Sequence, residues 1–125
     1  MLAKGEFTVE VLPQDDGEFS AGRLTINKTY TGDIVGTGKG QMISKRIENG
    51  PATYFAIEEV SATLNDKTGS FTLLHKGVMD ANGTALDITI MSHSGTGDFA
   101  GITGTYNIIQ QDGQHFYELE WALAD

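Results

Sequence analysis

The chain has 125 residues, 17 acidic against 8 basic for a net charge of −9, and 39% of them are hydrophobic. That length suits one domain over 1–125 with a core of its own, and a surface this acidic speaks against nucleic acid or an anionic membrane as partner. With no cysteine, disulfides, thiolate nucleophiles and thiolate metal sites are excluded.

The apolar pattern has period two almost throughout, and no window sustains helical spacing. Phe7, Val9 and Val11 alternate with polar residues in the first predicted strand, and a turn is expected at 13–17. The second strand sets Leu24, Ile26, Lys28 and Tyr30 on one face, and a turn over 30–33 leads into a glycine-spaced third strand, Ile34, Gly36, Gly38, Gly40 and Met42. After Asn49, Gly50 and Pro51 the fourth strand carries Tyr54, Ala56, Glu58, Val60, Ala62 and Leu64 on one side. A hairpin loop begins at Asn65, and the fifth strand places Phe71, Leu73 and His75 together. The segment 80–83 closes another hairpin before a sixth strand with Leu86, Ile88 and Ile90 on one face. A glycine-rich link over 94–104 leads to a seventh strand with Tyr106 and Ile108. After a turn over 111–113, the last strand turns His115, Tyr117, Leu119, Trp121 and Leu123 inward and Phe116, Glu118 and Glu120 outward. Eight strands at regular spacing without helices predict an all-β, antiparallel up-and-down barrel, whose interior is filled by side chains or holds one small ligand.

The string Ser94, Gly95, Thr96, Gly97, Asp98, Phe99 through Gly104 resembles a glycine signature of plant dirigent proteins and allene oxide cyclases, both eight-stranded barrels of lipocalin-like build. Over nearly its whole length the chain is similar to a small bacterial family of unknown function, through the segments 28–32, 54–60, 69–75 and 94–97. That resemblance implies the barrel and no established activity. The cyclase pocket includes a cysteine, which this chain lacks, so no catalytic residue carries over.

The face pattern singles out three charged or polar residues. Glu58 shares a face with Tyr54, Val60 and Leu64, His75 with Phe71 and Leu73, and Lys28 with Leu24 and Ile26. A four-residue loop at 65–68 sets Glu58 directly across from His75; a six-residue loop at 65–70 sets Val60 there and Glu58 diagonally. Both leave them neighbours. Buried charges need partners, so Glu58, His75 and Lys28 are predicted to form one internal polar cluster, with Tyr54, Tyr106, Tyr117 and Trp121 lining the interior. The cluster reads either as an ion pair plugging the barrel or as the polar anchor or acid–base pair of a ligand pocket.

Other signals are weaker. His93 reads as a solvated loop residue. The three histidines have no ligand spacing, so neither a metal nor another cofactor is expected. Ser92 and Ser94 beside His93 lack a third member for nucleophilic catalysis. The run 36–40 lacks phosphate-loop spacing and reads as strand glycines. The acidic run 15–18 departs from calcium-loop spacing and reads as a turn. Two active functions stand: a barrel binding a small apolar or amphipathic ligand, or a cyclase- or isomerase-like enzyme working inside it. A structural or oligomerisation module is the third, with outward Phe55, Ile57 and Phe116 as contacts of a homo-oligomer. The first residues lack the basic-then-apolar order of a secretory signal, and no apolar run of about 20 residues spans a bilayer, so a cytoplasmic location is expected.

Overall fold

The computed structural model describes residues 1–14 and 21–124; the acidic run 15–18, and with it most of the expected first turn, lies outside them. The strands are β1 (Leu2–Gln14), β2 (Gly22–Gly32), β3 (Ile34–Arg46), β4 (Ala52–Leu64), β5 (Lys67–Asp80), β6 (Gly83–Ile90), β7 (Thr96–Gly97), β8 (Thr103–Gln111) and β9 (Gln114–Ala122). No helix occurs among the described residues, and none is therefore long and apolar enough to cross a membrane. The eight long strands are those the alternation predicts. The ninth, β7, is a two-residue addition inside the glycine-rich link that pairs with the start of β5.

Every long strand pairs antiparallel with its neighbours in chain order, and β9 returns to β1, which closes the barrel. The seams are unequal. β4 and β5 stay in register from Ala52 opposite Met79 to Leu64 opposite Lys67, whereas β6 and β8 share one ladder position, Thr89 opposite Thr105.

The β4–β5 hairpin corrects both loop lengths expected from the sequence. Its loop is two residues, Asn65 and Asp66, with Leu64 paired to Lys67. Both loop residues take positive φ, 50° and 66°, the backbone of a type I′ turn, whose twist matches that of the strands it joins. Asn and Asp reach this region more readily than other residues with a side chain. Glu58 therefore stands opposite Leu73, and His75 opposite Ala56. The shift from the four-residue register is an even number of positions, so every side chain keeps its predicted face.

The two ends of the barrel differ. At one end the segment 91–102 folds across the opening, anchored by the Met91 amide donating to the Thr72 carbonyl and the Asp98 amide to the Thr68 carbonyl. It drives Phe99 and Ile102 into the core, Phe99 edge-on to Phe71 at 5.5 Å between ring centroids. The glycine-rich link thus folds into a cap, with Gly97 and Gly101 at positive φ. At the other end, Val9, Leu24, Met42, Tyr54, Ile108 and His115 are half-buried. Val11 and Leu86, predicted to face the core, are 42% and 37% exposed there. Alternation assigns them an inward face, but they lie beyond the level at which opposing strands meet.

The strain in the β4–β5 turn is testable. Glycine at position 66 removes the Cβ penalty of the left-handed conformation. Asp66→Gly is expected to raise stability by about 0.5–1 kcal/mol in denaturant melts with an unchanged slope; a loss would show that the Asp66 side chain contributes more than its backbone costs.

Candidate functional site

The site begins with residues that have no side chain. Lys28 on β2 lies opposite Gly38 of β3, and Glu58 on β4 lies opposite Gly40 of the same strand. Two long side chains from strands that are not neighbours can meet only if the strand between them leaves room. Gly38 provides that room, whereas a methyl group at Gly36 or Gly40 would meet the β4 backbone at Ser61 or Ile57. A methyl group at Gly38 would collide with Oε2 of Glu58.

Over this bare strand Glu58 gathers three donors. Its Oε1 accepts from Lys28 Nζ at 2.9 Å and from His75 Nε2 at 3.0 Å, and its Oε2 accepts from the Tyr30 hydroxyl at 2.5 Å. The Tyr30 and Tyr106 hydroxyls are 3.0 Å apart. The Lys28 ammonium also lies 4.4 Å from the Phe7 ring centroid and 5.3 Å from that of Tyr106, cation–π range. Glu58 is wholly buried, and Lys28 and His75 are each 6% exposed.

Burial alone would raise the Glu58 pKa. The His75 hydrogen bond, the Lys28 charge and the Tyr30 hydroxyl outweigh it and bring the pKa down from 4.5 to about 2. An ionised carboxylate carries no proton to donate, so His75 must bear hydrogen on Nε2. Burial lowers the Lys28 pKa, opposed by the Glu58 charge. Burial, reinforced by Glu58, raises the Tyr30 and Tyr106 hydroxyls and, more weakly, that of Tyr54.

Of the residues singled out in the sequence, the structure brings together Glu58, His75 and Lys28, and joins Tyr106 to them through Tyr30. The others lie apart. Tyr54 is half-buried on the open-end side, its ring packed over Gly77. Tyr117 works at the capped end, where its hydroxyl accepts from the Ile34 amide and donates to the Thr31 carbonyl, both at 2.8 Å. Trp121 is buried with Nε1 unpartnered among the described residues. His93 is exposed in the cap segment, and His115 packs against Phe7 at 5.3 Å. Among the described residues no cluster of three or more His, Asp or Glu is placed to hold a metal. Sequence reasoning missed Tyr30, Phe7 and Gly38 as members of the site. Tyr30 had a signal, two residues after Lys28 on the same face; Gly38 had one in its alternating glycine spacing.

A depression of about 990 Å³ lies on the barrel's outside. Most of its lining is outward side chains of β2 to β5, including Ile43, Phe55, Ile57 and Leu74, and His75 is the one member of the carboxylate cluster at its border. Phe116, grouped from the sequence with Phe55 and Ile57 as one contact surface, does not share their face. β4 and β9 stand on opposite sides of the barrel, and Phe116 is half-buried.

Two outcomes follow from this geometry. A depressed carboxylate pKa stabilises the fold above the unfolded value of 4.5, and that stability is lost as pH falls toward 2. Denaturant melts should show wild type losing about 3 kcal/mol attributable to Glu58 across that window. Glu58→Gln should start less stable at pH 7 and fall less steeply; equal slopes would remove Glu58 as the titrating group. Gly38→Ala should cost about 1–3 kcal/mol at pH 7 by displacing the carboxylate from its donors, and much less in a Glu58→Gln background, where the cluster is already broken.

The family model described as a protein of unknown function, DUF3224, matches residues 3–121. The crystal structure of a DUF3224 protein of unknown function from Shewanella oneidensis MR-1 is 32% identical, with a TM-score of 0.94 over 100% of this chain and 98% of that one. No curated protein matches the chain. A family model spanning nearly the full length, together with a solved relative of the same closed barrel, makes this chain a member of the DUF3224 family.

Proposed function

We propose that the barrel binds a small amphipathic molecule through its open end, apolar part outermost and an acceptor group, a carboxylate or carbonyl, directed at Lys28. The observation that carries this reading is the donor surplus of the cluster. An ammonium has three N–H bonds; Lys28 spends one on Glu58 and otherwise faces the rings of Phe7 and Tyr106. A ligand oxygen would be a better partner than a ring in so dry a place. The half-buried Val9, Leu24, Met42, Tyr54, Ile108 and His115 supply an apolar wall above it.

The carboxylate itself argues against the enzyme alternative in its acid–base form. A group with a pKa near 2 is a weak base and holds no proton to give at neutral pH, and both its oxygens are already engaged. Glu58 is better suited to orienting Lys28 and His75 than to moving protons.

Thermal melts with decanoate, decanol and decylamine, each below its micelle concentration, test this reading. Decanoate is expected to raise Tm saturably, decanol less, and decylamine not at all. Lys28→Met, compared with its own ligand-free Tm, should lose the preference for decanoate. Absence of any saturable shift in wild type, or an undiminished decanoate shift in Lys28→Met, would overturn the proposal.

A further inference from the structure

The outer face of β3, β4 and β5 carries an apolar patch that the interior site does not explain. Ile43 stands opposite Phe55, and Ile57 opposite Leu74. They are 55%, 57%, 56% and 39% exposed. These four side chains leave roughly 400 Å² of apolar surface in one place, within the range of the largest patch on a typical monomer, which is often functional. So much exposure makes the depression shallow. A small molecule lying in it would stay wet, whereas ligand pockets bury roughly 70–90% of their occupant. An extended partner fits better.

The charge around the patch indicates which partner. Two copies of a chain with net charge −9 repel through most of their surface. This face is different. Lys39 and Glu59 stand opposite each other at one end of the patch, and Lys76 stands opposite both Phe55 and Asp87 toward the other. Each end therefore pairs a cation with a carboxylate, and the face carries no net negative charge. We infer that the outer face of β3–β5 is the isologous interface of a two-fold homodimer. A two-fold axis lying in the interface midway between Glu59 and Lys76 sets Glu59 of each copy beside Lys76 of the other and turns apolar side chains against apolar. The patch supplies about half of the roughly 800 Å² that each partner buries in a standard interface, as its dry centre, and the polar residues around it supply the rim. Two-fold dimers are the commonest closed assembly, and such an interface requires this kind of self-complementary face.

Sedimentation velocity on the full chain at tens of micromolar is the test. The expected result is a species of twice the 13.4 kDa chain mass. Ile57→Thr, which keeps a strand-favouring residue, should give monomer with an unchanged far-UV spectrum and a Tm that no longer rises with protein concentration. Lys76→Glu should weaken the dimer by roughly tenfold, and adding Glu59→Lys in the same chain should restore it. A wild type that stays monomeric would overturn the inference, and so would a dimer indifferent to Ile57→Thr and Lys76→Glu. Monomeric wild type retained on phosphatidylserine–phosphatidylcholine vesicles would do the same and assign the face to a membrane surface.

Discussion

Keeping one carboxylate ionised out of water is the constraint around which this barrel is arranged. A buried charge without partners costs several kcal/mol, and even a paired one can lose more to desolvation than it regains. Glu58 meets that demand with an ammonium and a phenol from β2 and an imidazole from β5, reaching the first two across β3. Each donor is tied to a particular register. Lys28 and Tyr30 are useful only while β2 lies two strands from β4, and only while the inward face of β3 is bare. Gly38 is therefore a requirement of the cluster, while Gly36 and Gly40 let the β4 backbone approach closely. The cluster in turn ties β2, β3, β4 and β5 to one alignment, a specificity that apolar packing alone imposes less strictly.

The two halves of the interior use their polar atoms differently. Toward the cap, the Tyr117 hydroxyl is consumed by backbone groups of Thr31 and Ile34 around the β2–β3 turn, so it closes the structure and has nothing left for a guest. Tyr106 stacks on Tyr117 at 6.2 Å with the rings 10° from parallel, and its hydroxyl points to Tyr30. The aromatic residues thus form a partition between a sealed half, filled by Phe71, Phe99, Leu64 and Trp121, and a half whose inward side chains stay partly wet. Lys28 sits at that partition.

Much of this was legible in the sequence, for a physical reason. Period-two alternation reports which face a residue occupies, so the inward placement of Lys28, Glu58 and His75 could be read directly. Alternation does not report position along the barrel axis, which is why Val11 and Leu86 read as core and lie at the open rim. Nor does it report register. That depended on whether Asn65 and Asp66 close the turn alone, a matter of two positive φ angles rather than of hydrophobic pattern. The glycines of 94–104 were visible as chain that must bend, but whether they bend around a corner or across an opening is decided by Phe99 and Ile102 finding the core. The grouping of Phe55, Ile57 and Phe116 failed because exposure was inferred strand by strand, without the closure that sets β4 and β9 on opposite sides.

The single ladder position joining β6 to β8 makes the cylinder behave as a curled sheet with a seam. With Thr89 opposite Thr105 as the only register point there, the flanking backbone has fewer bonds to break than at any long ladder, and the free energy of local opening is least along that line. Tyr106 lies next to Thr105, and its ring borders the Lys28 ammonium. Opening along this seam would uncover Tyr106 and, behind it, the charged centre sideways, through the wall. The slowest-exchanging amides should belong to β4 and β5 on the far side, where the barrel is held shut.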